Sequence, residues 1–220
     1  MSRQIIDRIR VRRGPKKARY DEATINAILD YGVFGHVAFL HDGHPVCVPM
    51  LYARVGRRLY IHGSRASRTM RTLADGAAAC FTVTVLDGIV LARSVFEHSA
   101  NYRSVTAFGT FTPPTDDPER VAALQAFTEK LIPGRWSEVR PPSRQELKGT
   151  TILSMALEEA SAKVRSGPPD DDDDPDAVIE TWAGVVPVAT AFGQPVPSPG
   201  LRPGIPLSES IRKLLASGEV

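Results

Sequence analysis

The stretch GHVAFLHDGHPVCVPMLYARVGRRLYIHG, at residues 35–63, decides the fold class. It contains three runs rich in β-branched, aromatic and other apolar residues, and these runs are separated by Asp42-Gly43 and by Gly56-Arg57. Turn-forming pairs between β-rich runs are typical of hairpins. The stretch therefore predicts three consecutive strands in an antiparallel meander.

Helical patterns lie on both sides of this meander. Residues 21–31 predict a short amphipathic helix that ends at Gly32, and residues 64–76 are compatible with a second short helix. A third amphipathic helix is predicted over residues 117–132, where Pro118 suits the first turn.

Further strand patterns follow the meander. Residues 77–92 predict a strand with a bend at Asp87-Gly88, and SVTAFGTFT at residues 104–112 predicts another. One last strand is expected near residue 150. The order of these elements indicates a mainly β, α+β domain with an antiparallel sheet and flanking helices.

Composition divides the chain into three parts. Residues 1–19 are basic, and we expect them to form an arm that becomes ordered only on a partner surface. Residues 20–165 form the main domain. Residues 166–220 contain five aspartates in a row at residues 170–174 and continue as a Pro-rich extension, in which SESIRKLLA at residues 208–216 could form a docking helix.

Charge and cysteine content narrow the function classes. The 27 basic and 25 acidic residues leave a formal net charge of +2, so nucleic acid is not an expected partner. Cys47 and Cys80 lie in apolar runs without a CxxC motif, which argues against a zinc site and against a disulfide scaffold. No membrane-spanning run and no signal-peptide core is present, so we expect a soluble, cytoplasmic protein.

The first polar window is LYIHGSRASRTMRTL, at residues 59–73, where a strand ends and cationic and hydroxyl side chains follow. Arginine binds phosphate through its planar fork, and hydroxyl and backbone N–H groups at a helix start can complete an anion pocket. The alternative is a solvated basic turn with a serine N-cap. The arginines and serines that could bind a phosphate in this window are Ser64, Arg65, Ser67, Arg68 and Arg71.

The second polar window is RSVFEHSANYRSVTAFG, at residues 93–109, where polar side chains precede a strand. A few fixed donors on an apolar wall are typical of a ligand pocket, although a capped loop would explain them equally well. Both windows together favour a pocket for a phosphorylated heteroaromatic ligand. The polar residues that cluster just before the predicted strand are His98, Ser99, Asn101, Tyr102 and Arg103.

Residues 35–73 and VLDGIVLARSVFEHSANYRSVTAFGTF at residues 85–111 resemble the pyridoxamine 5′-phosphate oxidase-related family, in its flavin-nucleotide-binding branch that includes the nitroimidazole-resistance reductases. The resemblance covers residues 20–160. It implies an antiparallel split β-barrel with flanking helices and a homodimer with FMN at the interface. It also implies that the helix after the third strand holds the flavin phosphate.

The resemblance also implies individual contacts to the flavin. Ser67 and Arg68 match the Ser-Arg pair that holds the phosphate, whereas Thr69 replaces a lysine, so Arg65 or Arg71 is expected to balance the remaining charge. The residues implied to lie along the ring and ribityl chain are Val48, Pro49, Met50, Ile61, His62 and Gly63.

The later part of the resemblance departs from the true oxidases. Their Arg-Gln-Val is Arg103-Ser104-Val105 here, so we expect Asn101 to supply the hydrogen bond to the ring that the missing amide would make. The substrate-binding signature of the oxidases is not found, although Leu201-Arg202-Pro203 is superficially similar to it. Pyridoxamine phosphate oxidation is therefore not the expected activity.

The histidines are candidates for two kinds of site. His36, His41 and His44 are spaced as metal ligands could be, but alternation along a strand places them on different faces, so no metal is expected. His62 and His98 are the candidate catalytic residues, because a histidine beside a flavin can position or protonate a substrate. Structural hydrogen bonding is the alternative for both.

These observations leave two main hypotheses. The first is an FMN-dependent oxidoreductase that passes electrons from a nicotinamide or similar donor to a small nitro-aromatic or quinone-like molecule. The second is a non-catalytic module that stores or senses flavin, or holds haem, and a deazaflavin is also compatible. Trp182 or the C-terminal extension across the ring would favour a carrier, while Trp136 could cover the flavin or fill the core. A basic arm at residues 3–19 that binds nucleic acid is a third, weaker hypothesis.

Overall fold

The chain folds around one antiparallel sheet, which the computed structural model describes over residues 5–170 and 175–217. The spatial order of the strands is β1-β8-β6-β5-β2-β3-β4-β7, and β9 pairs with β5 outside this path. Among the described residues the sheet is not closed into a ring, but Thr112 and Ser154 form an isolated bridge that links β7 to the chain after β6. The strands are β1 (Ala18–Arg19), β2 (Phe34–His41), β3 (His44–Val55), β4 (Arg58–Ser64), β5 (Ala78–Leu91), β6 (Ser99–Thr110), β7 (Thr150–Ala156), β8 (Glu159–Arg165) and β9 (Gly184–Pro187).

The predicted meander is confirmed as β2, β3 and β4, which are antiparallel neighbours. Asp42 and Gly43 join β2 to β3 with φ angles of 51° and 78°, the left-handed conformation that a tight hairpin turn requires. The predicted bend at Asp87-Gly88 is a β-bulge, because the register between β5 and β6 shifts between Leu86 and Gly88.

Helices flank the sheet, as the periodicity predicts. Four of them begin after a residue whose side chain accepts a hydrogen bond from a backbone N–H in the first turn: Asp21, Ser67, Asp116 and Ser143. The expected mainly β architecture with flanking helices is thus confirmed. The helices are α1 (Glu22–Tyr31), α2 (Arg68–Ala74), α3 (Asp117–Leu131), α4 (Arg144–Gly149) and α5 (Glu209–Ser217).

Side chains alternate along β4 between two buried clusters. Leu59 and Ile61 belong to the main core, which fills the space between the sheet and α1. Tyr60 faces the opposite way and packs with Phe127 of α3 in a smaller cluster. Because successive strand residues point to opposite faces, His62 follows Tyr60 onto the face that α3 covers.

The C-terminal extension packs on the same chain. β9 pairs with β5 beside the bulge, with Gly88 opposite Pro187. The predicted terminal helix is present as α5, where the Ser210 hydroxyl and backbone N–H both donate hydrogen bonds to Glu138. Most of the predicted aspartate run lies outside the described residues.

Two expectations about the ends of the main domain are wrong. One last strand was expected near residue 150, but two are present, since β7 pairs with β4 and β8 pairs with β6. Leu157 and Glu158 between them contain no glycine or proline, so the sequence does not mark the change of direction. The described part of the N-terminal arm also packs on its own chain, because Ile9 is 2% exposed and Ala18 pairs with Lys163 of β8.

The second polar window also differs from expectation. Ser99, Asn101, Tyr102 and Arg103 do not precede the strand but lie inside β6, paired with β5 across the bulge. The first part of β6 was not predicted as a strand, because its residues are mostly polar and the apolar pattern begins only at Val105. In the described part of the chain, no helix has both the length and the apolar character needed to cross a lipid bilayer.

Candidate functional site

A cavity of about 620 Å³, which we call the apolar cavity, lies between α3 and the strands β3 and β4. The spacing of its α3 residues, at three or four positions, is that of one helical stripe, so one face of α3 forms a continuous wall. The chain after α3 adds the indole ring of Trp136 to the lining. The apolar lining residues are Leu51, Leu124, Phe127, Leu131, Ile132 and Trp136.

His62 lines the apolar cavity from β4. Its Nδ1 atom is buried and has no hydrogen-bond partner among the described residues. Burial lowers the pKa of its imidazole, so the ring is neutral at neutral pH. A buried polar atom without a partner costs free energy, which indicates a role in binding, and a neutral imidazole is the form that binds a metal ion.

The rim of the apolar cavity is polar but locally neutralised. Arg140 donates two hydrogen bonds to the Glu146 carboxylate, at 2.8 Å and 2.6 Å, and these bonds lower the pKa of Glu146. Arg135 donates to Glu138 at 3.2 Å and to the Ser208 hydroxyl at 3.1 Å. The rim cations are therefore already paired with acids of the same chain.

A second cavity of about 360 Å³, which we call the cationic cavity, contains Arg65, Arg120, Arg144 and Lys148. Asp117 is the acidic residue in its lining, and its carboxylate lies 3.7 Å from Nε of Arg120. Four cations against one carboxylate give this cavity a net positive charge, so it is suited to an anionic group.

The edge of β3 is open where the sequence predicts flavin contacts. β4 pairs with β3 only over Tyr52–Val55, so the stretch 44–51 has a strand partner, β2, on one side only in the described structure. This stretch includes Val48, Pro49 and Met50. Pro49 has no N–H to donate to another strand, so this edge of β3 is a poor site for the addition of a further strand. The unpaired backbone groups of the edge remain available to a ligand.

The predicted phosphate residues lie next to this edge, after β4. Ser67 is the N-cap of α2 and accepts from the Met70 N–H at 3.4 Å, and Ser64 accepts from the Ala66 N–H at 3.2 Å. Arg68 is exposed. Gly63 lies against Met70, since a β-carbon there would be 2.8 Å from Met70 Cγ. Both the predicted phosphate role and the serine N-cap alternative are compatible with this geometry.

Several predicted site residues are engaged elsewhere. Asn101 is buried, donates to the Gly167 carbonyl at 3.0 Å and accepts from Arg165 at 2.5 Å. Arg103 makes two-pronged hydrogen bonds to Asp87 at 2.7–3.2 Å. Neither side chain lines the apolar cavity that contains His62.

Two further predicted residues are also separate from the apolar cavity. Ile61 is fully buried in the main core, so only its backbone could contact a ligand. His98 is exposed in the loop between β5 and β6, where its Nδ1 accepts from the Ala92 N–H at 3.3 Å.

The residues that α3 and α4 contribute to the two cavities were not predicted from the sequence. Phe127 and Arg120 lie on one stripe of α3, and Arg144 and Lys148 are four residues apart on α4. Two features of the sequence could have indicated these residues. Arg144 and Lys148 are two cations at helical spacing, and one stripe of α3 is too apolar for a solvent-facing surface.

Known proteins share the sequence pattern and the fold of this chain. A family model described as pyridoxamine 5′-phosphate oxidase matches residues 21–164. A FAD- and haem-binding protein from Mycobacterium smegmatis is 42% identical with a TM-score of 0.85, over 90% of this chain and 97% of its own. The flavocytochrome Anf3 from Azotobacter vinelandii is 39% identical with a TM-score of 0.87, over 95% of this chain and 97% of its own. No curated protein matches the sequence.

Proposed function

The chain belongs to the pyridoxamine 5′-phosphate oxidase family of split β-barrels, and on this premise we propose that it is a redox protein that binds a flavin and a haem. The proposed flavin lies at the open edge of β3, and the proposed haem lies in the apolar cavity with His62 as an iron ligand. The observation that carries the haem assignment is the neutral, unpartnered His62 imidazole in the apolar cavity.

The flavin proposal rests on the open edge and on the family. The backbone groups of Val48, Pro49 and Met50 border the gap where β4 leaves β3, and an isoalloxazine ring needs such fixed donors and acceptors. Ser67 and Arg68 follow β4 and supply a hydroxyl and a cation for a phosphate. Relatives at 42% and 39% identity are named for FAD and as a flavocytochrome, so FAD takes precedence over FMN as the flavin to test.

The haem proposal rests on the fit of the apolar cavity. Its volume of about 620 Å³ lies within the range of small-molecule and cofactor sites, and a flat macrocycle needs apolar and aromatic walls of the kind that Phe127 and Trp136 provide. Haem iron is commonly held by a histidine. His62 is the histidine that lines this cavity, and burial lowers the pKa of its imidazole, which favours the neutral form that can bind iron.

The two cofactors would give the protein its redox chemistry. A flavin supplies hydride chemistry and a haem supplies one-electron chemistry. The residues of the chain would then orient the two groups and exclude water from them. The apolar walls of the apolar cavity are suited to excluding water. We propose a nicotinamide or similar donor and a small-molecule acceptor. A flavin and haem carrier without turnover is the competing proposal.

The proposed assembly is a homodimer that uses the outer face of the sheet. Phe34 and Leu40 project from β2 on this face and are 57% and 63% exposed. Cys47 and Cys80 lie on either side of Ala38 on the same face, and the cavity beside them is about 740 Å³. An apolar face of this kind, next to the open edge of β3, suits a second copy of the chain that completes the flavin groove.

The test is separate titration of the purified protein with FAD, FMN and haemin, followed by anaerobic addition of NADH or NADPH to the loaded protein. We expect saturable binding of FAD and haemin, and a drop in flavin absorbance that is followed by reduction of the haem. Arg68→Gln should weaken flavin binding, whereas Arg13→Gln, an exposed arginine of the N-terminal segment, should not. Binding of both groups without reduction would favour the carrier, and failure to bind either would overturn the proposal.

A further inference from the structure

The cationic cavity is a candidate binding site that the proposed function has not yet used. Arg120 is held in place, because its Nη2 donates to the carbonyl oxygens of Leu147 and Thr150, the second at 3.0 Å. Its Nε is buried and makes no hydrogen bond within the described residues, although the Asp117 carboxylate lies 3.7 Å away as an ion-pair partner. A fixed guanidinium with an unsatisfied buried N–H is prepared for an acceptor.

The other cations of this cavity have no acidic partner in the described structure. Arg65, Arg144 and Lys148 are exposed and form no ion pair there. Arg144 and Lys148 are like charges four residues apart on a helix, which is unfavourable unless an anion lies between them. By contrast, the two arginines at the rim of the apolar cavity, Arg135 and Arg140, each form an ion pair with a glutamate of the same chain.

The cationic cavity lies beside the apolar cavity. Arg120 precedes Leu124 by one turn of α3, or about 6 Å along the helix axis. Arg65 follows His62 by three residues, or at most about 10 Å of extended chain. The two cavities therefore lie close together along α3, with His62 in the apolar cavity and Arg120 in the cationic cavity.

We infer that the cationic cavity binds the propionate carboxylates of the haem whose macrocycle lies in the apolar cavity. This inference rests on the proposed function. A flat apolar ring with two carboxylates at one edge matches an apolar cavity that lies beside a cationic one. Arg120 is the fixed donor, and Arg65, Arg144 and Lys148 neutralise the charge. The cavity thereby sets the orientation of the ring relative to His62.

The test compares haemin with haemin dimethyl ester, in which the carboxylates are blocked, by titration monitored through the Soret band. Arg144→Gln and Lys148→Gln should each weaken haemin binding by about tenfold, the worth of one charge-assisted hydrogen bond. The same variants should bind the ester as the unmodified protein does. Arg13→Gln is the matched control and should leave both affinities unchanged. FAD affinity is measured in parallel and should not change.

The outcomes separate this inference from the proposed function. If the unmodified protein binds neither haemin nor the ester, the proposed haem site itself fails, and the inference fails with it. If haemin binds but the variants lose affinity for haemin and ester equally, or not at all, the carboxylate contact is overturned. If the variants lose affinity for FAD instead, the cationic cavity belongs to the flavin phosphates, which also overturns the inference.

Discussion

The imidazole ring of His62 lies edge-to-face against the ring of Phe127, with the ring centroids 4.5 Å apart and the planes at 76°. This contact joins β4 to α3 at the apolar cavity, so Phe127 supports both the helix and the proposed iron ligand. Aromatic pairs in this geometry add stability beyond the area that they bury.

Phe127→Ala should therefore lower the free energy of unfolding by about 3–5 kcal/mol, because Phe127 is 4% exposed and the substitution leaves a cavity. The measurement is urea denaturation followed by circular dichroism. Phe96→Ala is the matched control, since Phe96 is 90% exposed and should cost less than about 0.5 kcal/mol. Similar costs for the two variants would contradict the packing described for α3.

Asn101 should prove to be a structural residue. Its side chain bonds Arg165, which is 8% exposed, so Asn101→Ala leaves a buried guanidinium without a main partner. We expect a loss of about 2 kcal/mol in the free energy of unfolding. Ser99→Ala on the same strand should have little effect. A folded Asn101→Ala protein with unchanged stability and weakened flavin binding would instead support the ring contact implied by the family resemblance.

The packing of the core leaves no room for a side chain at Gly35. A β-carbon there would lie 2.2 Å from Cζ of Phe81, which is 1% exposed and packs edge-to-face on Tyr52 with ring centroids 5.2 Å apart. Gly35→Ala should destabilise the protein by about 1–3 kcal/mol through overpacking. Gly193→Ala, which meets no atom within 4 Å, should be close to neutral, and thermal unfolding of both variants checks the difference.

Lys130 should make stability depend on pH. Burial lowers its pKa from 10.5 to about 7, helped by Arg54 and opposed by Asp30. The Tyr52 ring, 3.4 Å from the Lys130 Nζ, favours the charged form, but the loss of hydration outweighs it. Between pH 7 and pH 10.5 the unfolded chain binds more protons than the folded chain, so the free energy of unfolding rises with pH across this window.

Lys130→Met removes the titrating group while the Leu29 carbonyl keeps its hydrogen bond from Tyr52, at 2.7 Å. We expect the stability of the unmodified protein, relative to the variant, to increase from pH 7 to pH 10. Urea denaturation of both proteins across this range is the measurement. A difference that stays constant with pH would show that Lys130 is charged in the folded protein.

Much of the fold was predictable because local signals coincide with element ends. Asp42-Gly43 marks a turn, Asp87-Gly88 marks a bulge, and Ile25, Ile28 and Leu29 mark the buried stripe of α1. The separation of β7 from β8 was not predictable, because non-local pairing decides it and no turn residue marks it. The strand character of residues 99–103 was hidden for a similar reason, since polar residues there pair across a bulge.

The site was only partly predictable. His62 and Arg65 were found because they lie within the window that resembles the family. Arg120, Phe127 and Lys148 lie on helices far along the chain, and only the packing of α3 and α4 brings them to β4. Their contribution is a property of tertiary contacts, which periodicity in a single sequence does not specify.

The measurement that tests the central claim most directly is the Soret spectrum and haemin affinity of His62→Gly, with and without added imidazole, beside His98→Gly. If His62 ligates the iron, the variant should lose affinity at least about tenfold with a shifted Soret band, and imidazole should restore the original spectrum. His98→Gly should match the unmodified protein. Unchanged affinity and spectrum in His62→Gly would contradict the assignment of the apolar cavity to haem.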